Sequence, residues 1–371
     1  MKITDVKALH LRLPVVEEIA DGTQDCLIVK IETDSGLVGL GEIVSGSYVA
    51  RAVIEAPRSA PFRHGLAEIL IGMDPLDTDS AFNAMTEGTY WYGPGGVARH
   101  AISGIDMALW DIKGKVSELP VRNLLCSNPV DKVPAYASVL WPQHPEAVAD
   151  SASKFLDEGY QAVKYGWAPM GSDPSLDLKL VDAARKALGP DIQLMVDAGR
   201  AWDADTAYNR ACAFAPYGLT WLEEPLKPYD VDGFIKLCAK SPLPIATGEV
   251  LALQEEFEPL IKLAQIQFVQ PDLGRIGGLT QAHKLAERCR KSGKTRPVPH
   301  AYGTGILLSA SAQWAATLDD PLTEFTRAPS PLAQELTIHE MKFDRGSLHL
   351  SNQPGLGVDL NDEIVSRYQI S

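Results

Sequence analysis

Paired cysteines are missing from these 371 residues: the five present (Cys26, Cys126, Cys212, Cys238, Cys289) are odd in number and show no CxxC spacing. That excludes a disulfide frame or a zinc-finger site and points to free thiols in a reducing compartment. Basic clusters are absent too. The net charge of −14 leaves no stripe of Lys and Arg for nucleic acid or an anionic membrane. The first residues, Met1-Lys2-Ile3-Thr4-Asp5, are charged and lack the apolar core of a signal peptide. One uncharged stretch, residues 301–318, has nearly the length of a membrane span, but its Gly, Ser, Thr, Gln and Tyr fit a buried helix better. A cytoplasmic protein is expected. No low-complexity segment or linker interrupts the chain, and Gly93-Pro94-Gly95-Gly96 reads as a loop, with no βαβ strand before it and no GK[ST] after it.

What is present is ordinary globular composition, 45% hydrophobic and 22% charged, in a chain long enough for two structural units. Residues 7–13 alternate, with Leu9, Leu11 and Leu13 on one face. Residues 25–32 and 37–43 are β-rich and flank the turn Asp34-Ser35-Gly36, which predicts a hairpin. Over residues 97–115, Ile102, Ile105, Leu109 and Ile112 recur at helical steps. Strands followed by helices imply an α+β unit over residues 1–130.

From residue 131 the pattern becomes strand–helix alternation. Eight β-rich runs (135–140, 162–165, 193–197, 220–223, 244–249, 267–272, 296–300 and 322–325) alternate with helical stretches such as 177–188 and 279–292. This predicts a TIM-type (β/α) barrel over residues 131–325, with tight loops. Residues 326–371 form a tail with a strand–turn pattern at 347–350, and this tail is expected to pack back on the first unit.

Ionisable residues fall at the predicted strand ends. Asp197, Glu223 and Glu249 close the third, fourth and fifth strands at a constant spacing of 26 residues, one βα unit each. In a parallel barrel such ends converge on one mouth. A like-charged pair about 4 Å apart costs roughly 4 kcal/mol at an effective dielectric of 20. Separate pairing with Lys or Arg would relieve this, but one hard cation relieves all three together. Oxygen-only ligands favour Mg²⁺, with Mn²⁺ as the alternative. Glu224 is given no ligand role. Asp272 ends the sixth strand and His300 the seventh, a carboxylate–imidazole pair suited to a general base. Glu324 on the eighth strand is expected to serve as a proton donor to an oxyanion, and Lys164 on the second as a cation facing a substrate carboxylate. A metal, a base, a cation and an acid in one cavity suit removal of a weakly acidic proton next to a carboxylate.

The whole-chain order resembles the enolase superfamily in its mandelate racemase branch. The motifs are Ile105-Asp106 through Leu109-Trp110-Asp111-Ile112-Lys113-Gly114-Lys115, then Val196-Asp197-Ala198, Trp221-Leu222-Glu223-Glu224-Pro225, Gly248-Glu249, Gln270-Pro271-Asp272, Arg275-Ile276-Gly277-Gly278 and Pro299-His300. The resemblance implies a modified TIM barrel, (β/α)7β, with an N-terminal α+β capping domain. It also implies Mg²⁺ on Asp197, Glu223 and Glu249, His300 with Asp272 as base, and Glu324 as oxyanion partner. Homo-oligomers are expected by the same analogy. The sequence departs from the pattern at Gly166, where the family carries a second-strand lysine base, so His300 is expected to be the only strong base. Asp272 stands where the muconate-lactonising branch has a lysine, which disfavours that branch.

The expected activity is dehydration of an acid sugar, aldonate or aldarate, to a 2-keto-3-deoxy acid. The rivals are a cycloisomerase or epimerase of a sugar-acid lactone, and a non-catalytic metal-binding scaffold. Substrate contacts are expected from Lys164, Arg275, Tyr48 and Trp141, with specificity read by the cap segments 13–25 and 45–48.

Overall fold

The computed structural model describes residues 1–61, 63–339 and 341–370. The chain opens with an antiparallel sheet, β1 (Ile3–Arg12), β2 (Asp25–Thr33) and β3 (Val38–Ile43), in that spatial order. The β2–β3 turn uses Gly36 at φ +82°, a conformation that favours glycine. The long helix Val97–Ser117 lies on this sheet, and Ile102, Ile105, Leu109 and Ile112 are fully buried against Val29 and Ile31. Contact is close because β3 carries glycines: a Cβ at Gly41 would lie 1.9 Å from the Gly104 carbonyl oxygen.

The same helix joins cap to barrel through its polar residues. Asp106 accepts from the backbone N–H (3.0 Å) and hydroxyl (2.6 Å) of Thr280, and Trp110 donates to that hydroxyl at 2.9 Å. Gly278, at φ +73°, admits Asp106, because a Cβ there would meet its Oδ2 at 2.2 Å. Asp111 accepts from the backbone N–H groups of Leu40 and Leu356. The motif residues around 105–111 and 275–278 therefore form a joint between the two units.

Eight parallel strands build the barrel: β4 (Lys132–Leu140), β5 (Ala162–Gly166), β6 (Gln193–Asp197), β7 (Trp221–Glu223), β8 (Ile245–Thr247), β9 (Phe268–Val269), β10 (Arg296–Pro297) and β11 (Thr323–Thr326). Their order runs β10-β9-β8-β7-β6-β5-β4, with β11 on the other side of β4. Seven helical crossovers separate the strands, giving (β/α)7β with a small antiparallel N-terminal unit. The last strands are shorter than residues 244–249, 267–272 and 296–300 suggested. Pro271, Pro297 and Pro299 have no N–H for a ladder, and Gly248 turns out of β8 at φ +131°. The uncharged stretch yields the 11-residue helix Gly305–Ala315, buried at every position. Among the described residues no helix is long and apolar enough to cross a membrane.

The tail touches both units. Ser347–His349 pairs with the lower end of β4, Leu348 opposite Val133, so this strand extends the barrel sheet and not the cap. The rest of the tail does pack back on the first unit: Ser330 donates to the Thr23 carbonyl at 3.0 Å, the Leu356 N–H donates to Asp111 at 2.8 Å, Gln369 bridges Leu11, and Ile370 donates to the His10 carbonyl at 2.9 Å.

Candidate active site

Inside the barrel each strand run contributes one side chain to a floor: Tyr136, Ala162, Met195, Trp221, Ala246, Phe268, Val298 and Leu322. Two residues further along a strand the side chain points the same way, one step nearer the C-terminal mouth. Those positions are Ser138, Lys164, Asp197, Glu223, Gly248, Gln270, His300 and Glu324. Thus the strand period alone stacks a polar layer on an apolar floor. The fifth strand deviates: Gly248 has no side chain, and its φ of +131° turns the chain so that Glu249 takes the place.

Asp197, Glu223 and Glu249 converge, with one carboxylate oxygen from each lying within 4.8 Å of the others. All three are buried. Burial, with Glu223 and Glu249 adding to it against the pull of Lys164, pushes the Asp197 carboxyl well above its usual range. Glu249 leaves Oε2 buried without a hydrogen-bond partner. Buried oxygen donors, mutual repulsion and an orphan acceptor are what a hard divalent cation would satisfy. Glu223 is oriented by Trp221 Nε1 (2.7 Å) and Gln270 Nε2 (2.6 Å), both donating to Oε2, while Lys164 donates to Oε1. Glu224 accepts from Thr247 Oγ1 at 2.6 Å and lies 3.6 Å from Arg200 Nε.

Across the mouth His300 Nδ1 lies 2.7 Å from Asp272 Oδ2, and Asp272 Oδ1 accepts from the Gly274 N–H at 2.7 Å. The pairing directs Nε2 towards the acids, 3.6 Å from Glu249 and 3.8 Å from Glu324. Burial opposes a charge on His300, but Glu249, Glu324 and Asp272 outweigh it and push the imidazole up to about 10. Lys164 is likewise a cation. Burial disfavours its charge, Glu223 and Glu324 restore it, and the amine rises well above its usual value. Pinned by Glu223 and by Glu324 at 2.9 Å, it is not placed as a second base.

Glu324 departs from expectation. Burial pushes its carboxyl up, but Lys164, His300, the Ser138 hydroxyl and the Ala301 N–H together bring it down to about 2. In this arrangement it is an anion holding Lys164, and not a protonated donor.

A cavity of about 150 Å³ opens above this layer, bordered by Lys164, Asp197, Glu249, His300 and Glu324. The cap segment 13–25 reaches it through Ala20 and Gly22. Three expected substrate contacts do not. Trp141 is buried outside the barrel, stacked on Tyr165 at 4.8 Å. Tyr48 is 59% exposed, edge-on to His10. Arg275 donates to the Val44 (3.0 Å) and Val250 (3.4 Å) carbonyls and borders a neighbouring cavity. Tyr302, Trp167 and Ser138 line the cavity and were missed, as was Gln270 behind Glu223. Ser138 and Gln270 are findable, because each lies two residues past a floor position; Tyr302 and Trp167 lie in loops with no such signal.

Gly166 lies on the cavity lining and against an acid of the cluster: a Cβ there would sit 2.9 Å from Asp197 Oδ2 and 3.0 Å from Asp197 Cβ. Gly166→Ala is therefore expected to displace Asp197 and weaken divalent-cation binding by about 10- to 100-fold. Calorimetric titration with Mg²⁺ measures this, and unchanged affinity would refute the packing argument.

Comparison with known proteins agrees with this arrangement. Residues 3–126 match the family described as mandelate racemase / muconate lactonizing enzyme, N-terminal domain, and residues 147–364 match the family described as enolase C-terminal domain-like. A D-galactarolactone cycloisomerase of Agrobacterium fabrum is 30% identical, over 100% of this chain and 99% of that protein. An L-talarate/galactarate dehydratase of Salmonella typhimurium is 30% identical, over 97% of this chain and 85% of that protein. The crystal structure of a 3,6-anhydro-D-galactonate cycloisomerase from Zobellia galactanivorans superimposes with a TM-score of 0.91 at 31% identity, each chain covered fully. Both halves of the chain match, and the acids and the His300–Asp272 pair stand at the mouth of a (β/α)7β barrel. The chain accordingly belongs to the enolase superfamily, in its mandelate racemase-like branch.

Proposed function

We propose that this enzyme removes the proton α to the carboxylate of an acid sugar and expels the oxygen at C3, most simply as a dehydratase yielding a 2-keto-3-deoxy acid. The observation that carries the reading is the cavity lined by His300, which Asp272 holds through Nδ1, and by Asp197 and Glu249 of the three-acid cluster. Asp197, Glu223 and Glu249 would hold Mg²⁺, which supplies charge neutralisation for a substrate carboxylate as the α-carbon loses its proton. His300 Nε2 takes the C2 proton, with Asp272 fixing the ring through Nδ1. The C3–O bond then breaks, and the proton held by His300 passes to the departing hydroxyl on the same face. The enol formed becomes the 2-keto acid, so the net change is loss of one water. Lys164 faces the carboxylate as a fixed cation, held by Glu324.

A second reading is favoured by the full-length likeness to two cycloisomerases. If the oxygen at C3 belongs to a lactone or anhydro ring, the same steps open the ring and lose no water. Mass analysis of the product decides between them. A 2-keto acid one water lighter than its substrate is expected for dehydration, an isomer for ring opening, and no 2-keto product from any acid sugar or its lactone would sink both. Homo-oligomerisation is proposed on the same footing, with the exposed Tyr90, Trp91 and Tyr92 of the cap as a surface that assembly would cover.

A further inference from the structure

We infer that Glu42, near the end of the cap strand β3, is a positioning residue for the base, and that with the Val44 backbone it clamps the two loops carrying His300 and Asp272. The kinetic consequence rests on the α-proton reading above; the clamp itself does not. Glu42 is only 2% exposed. Its carboxyl accepts from the Thr304 N–H at 3.0 Å, the Thr304 hydroxyl at 2.6 Å and the Leu307 N–H at 3.0 Å. Burial pushes this acid up to about 7 against the pull of those donors, and the charge of Asp272 adds to the rise. The donors open the helix Gly305–Ala315, which does not need Glu42 in order to begin. Thr304 already caps it, its hydroxyl accepting from the Ile306 N–H. What Glu42 adds, at the expense of a buried carboxyl, is a tie from the cap to the segment that follows His300.

The start of that segment is tied to the barrel. The His300 N–H donates to the Pro271 carbonyl at 3.1 Å, and the Ala301 N–H to Glu324 at 2.6 Å. Between the two ties, Gly303 passes so close that a Cβ would sit 2.7 Å from Glu42 Oε1. The loop after β9 is held two residues further along the cap. The Val44 N–H donates to the Gly274 carbonyl at 3.3 Å, and the Val44 carbonyl accepts from Arg275 Nη1 at 3.0 Å. Gly274 donates in turn to Asp272 Oδ1 at 2.7 Å, and Asp272 Oδ2 lies 2.7 Å from His300 Nδ1. One short stretch of the cap thus holds the surroundings of both members of the pair. A displacement of about 1 Å in a positioned group can cost roughly 100-fold in rate.

The test uses two variants of the full-length enzyme with Mg²⁺, Glu42→Gln and Gly303→Ala. Backbone hydrogen exchange, read by mass spectrometry, does not depend on turnover. Glu42→Gln is expected to speed it by about 10-fold or more over residues 300–307 and to leave residues 193–197 unmoved. In exchange of the C2 proton of an acid sugar in D₂O, kcat is expected to fall by about 10- to 100-fold, with KM within about threefold and Mg²⁺ affinity unchanged. Gly303→Ala keeps the carboxyl but displaces it, so it should show the same pattern to a smaller degree, and it decides the matter if Glu42→Gln does not fold. Unmoved protection over residues 300–307 in the folded variants would overturn the clamp. A raised KM or a lowered Tm with kcat unchanged would mean adhesion of cap to barrel alone and overturn the positioning role. If the wild type exchanges no acid sugar while the variants still lose protection, the α-proton reading and the positioning role fall and the clamp stands.

Discussion

Replacing His300 with asparagine is expected to abolish exchange of the C2 proton and lower kcat by about 10²- to 10⁴-fold, the usual contribution of a positioned base. The effect should be this large because no other base is placed to substitute. Lys164 is a cation fixed between two carboxylates, and position 166 holds a glycine pressed against Asp197. Asp272 is buried and bonded to Gly274 and His300, so it orients the ring without reaching a substrate. With one base on one face, wild type should exchange only one C2 epimer, and elimination should be syn. Comparable exchange of both epimers, or exchange surviving in His300→Asn, would rule out the one-base mechanism.

Stripping divalent cations is expected to remove all measurable turnover, and Mg²⁺ or Mn²⁺ to restore it. Glu223→Gln should lower kcat by roughly 10³-fold or more at saturating Mg²⁺, since the ion's several kcal/mol of charge stabilisation depends on its ligands. Glu223 is the central acid of the three, with Asp197 opposite it in the β6–β7 register and three side chains donating to its oxygens. Two further readouts do not depend on turnover. A saturating cation relieves the repulsion among the acids in the folded state only, so a hundredfold excess over Kd should add about 2.7 kcal/mol of stability. The ion-free cluster also holds protons that a cation must displace, because Asp197 titrates well above its usual range and His300 near 10. Binding therefore releases protons, and apparent affinity should rise with pH up to about 10, the value to which His300 is raised. Full turnover after exhaustive chelation, or affinity that falls with rising pH, would refute the metal assignment.

Much of the site is legible from spacing because strand geometry is local. Alternation puts Lys164 and position 166 on one face, and the constant βα period brings Asp197, Glu223 and Glu249 to one rim. The same parity excludes Trp141, which is out of phase with Tyr136 and Ser138 and turns outward onto Tyr165. Glu249 is the instructive exception. Strand parity places Gly248 on the inner face, and the backbone turn at that glycine is what delivers the next side chain to the cluster.

From the sequence alone follow the parallel barrel with its antiparallel cap, the three-acid rim and the His300–Asp272 pair, because each depends on periodicities of two residues or of one βα unit. Tertiary structure alone decided that Lys164, His300 and the Ala301 N–H draw the Glu324 carboxyl down, that Arg275 donates to the Val44 and Val250 carbonyls, and that Asp106 and Asp111 join cap to barrel. The reason is physical: a charge state or a free donor depends on the field and hydrogen bonds of groups distant in sequence, such as Ala301 against Glu324 or Asp106 against Thr280, 174 residues apart. Local pattern cannot encode those distances; they exist only once the chain has packed.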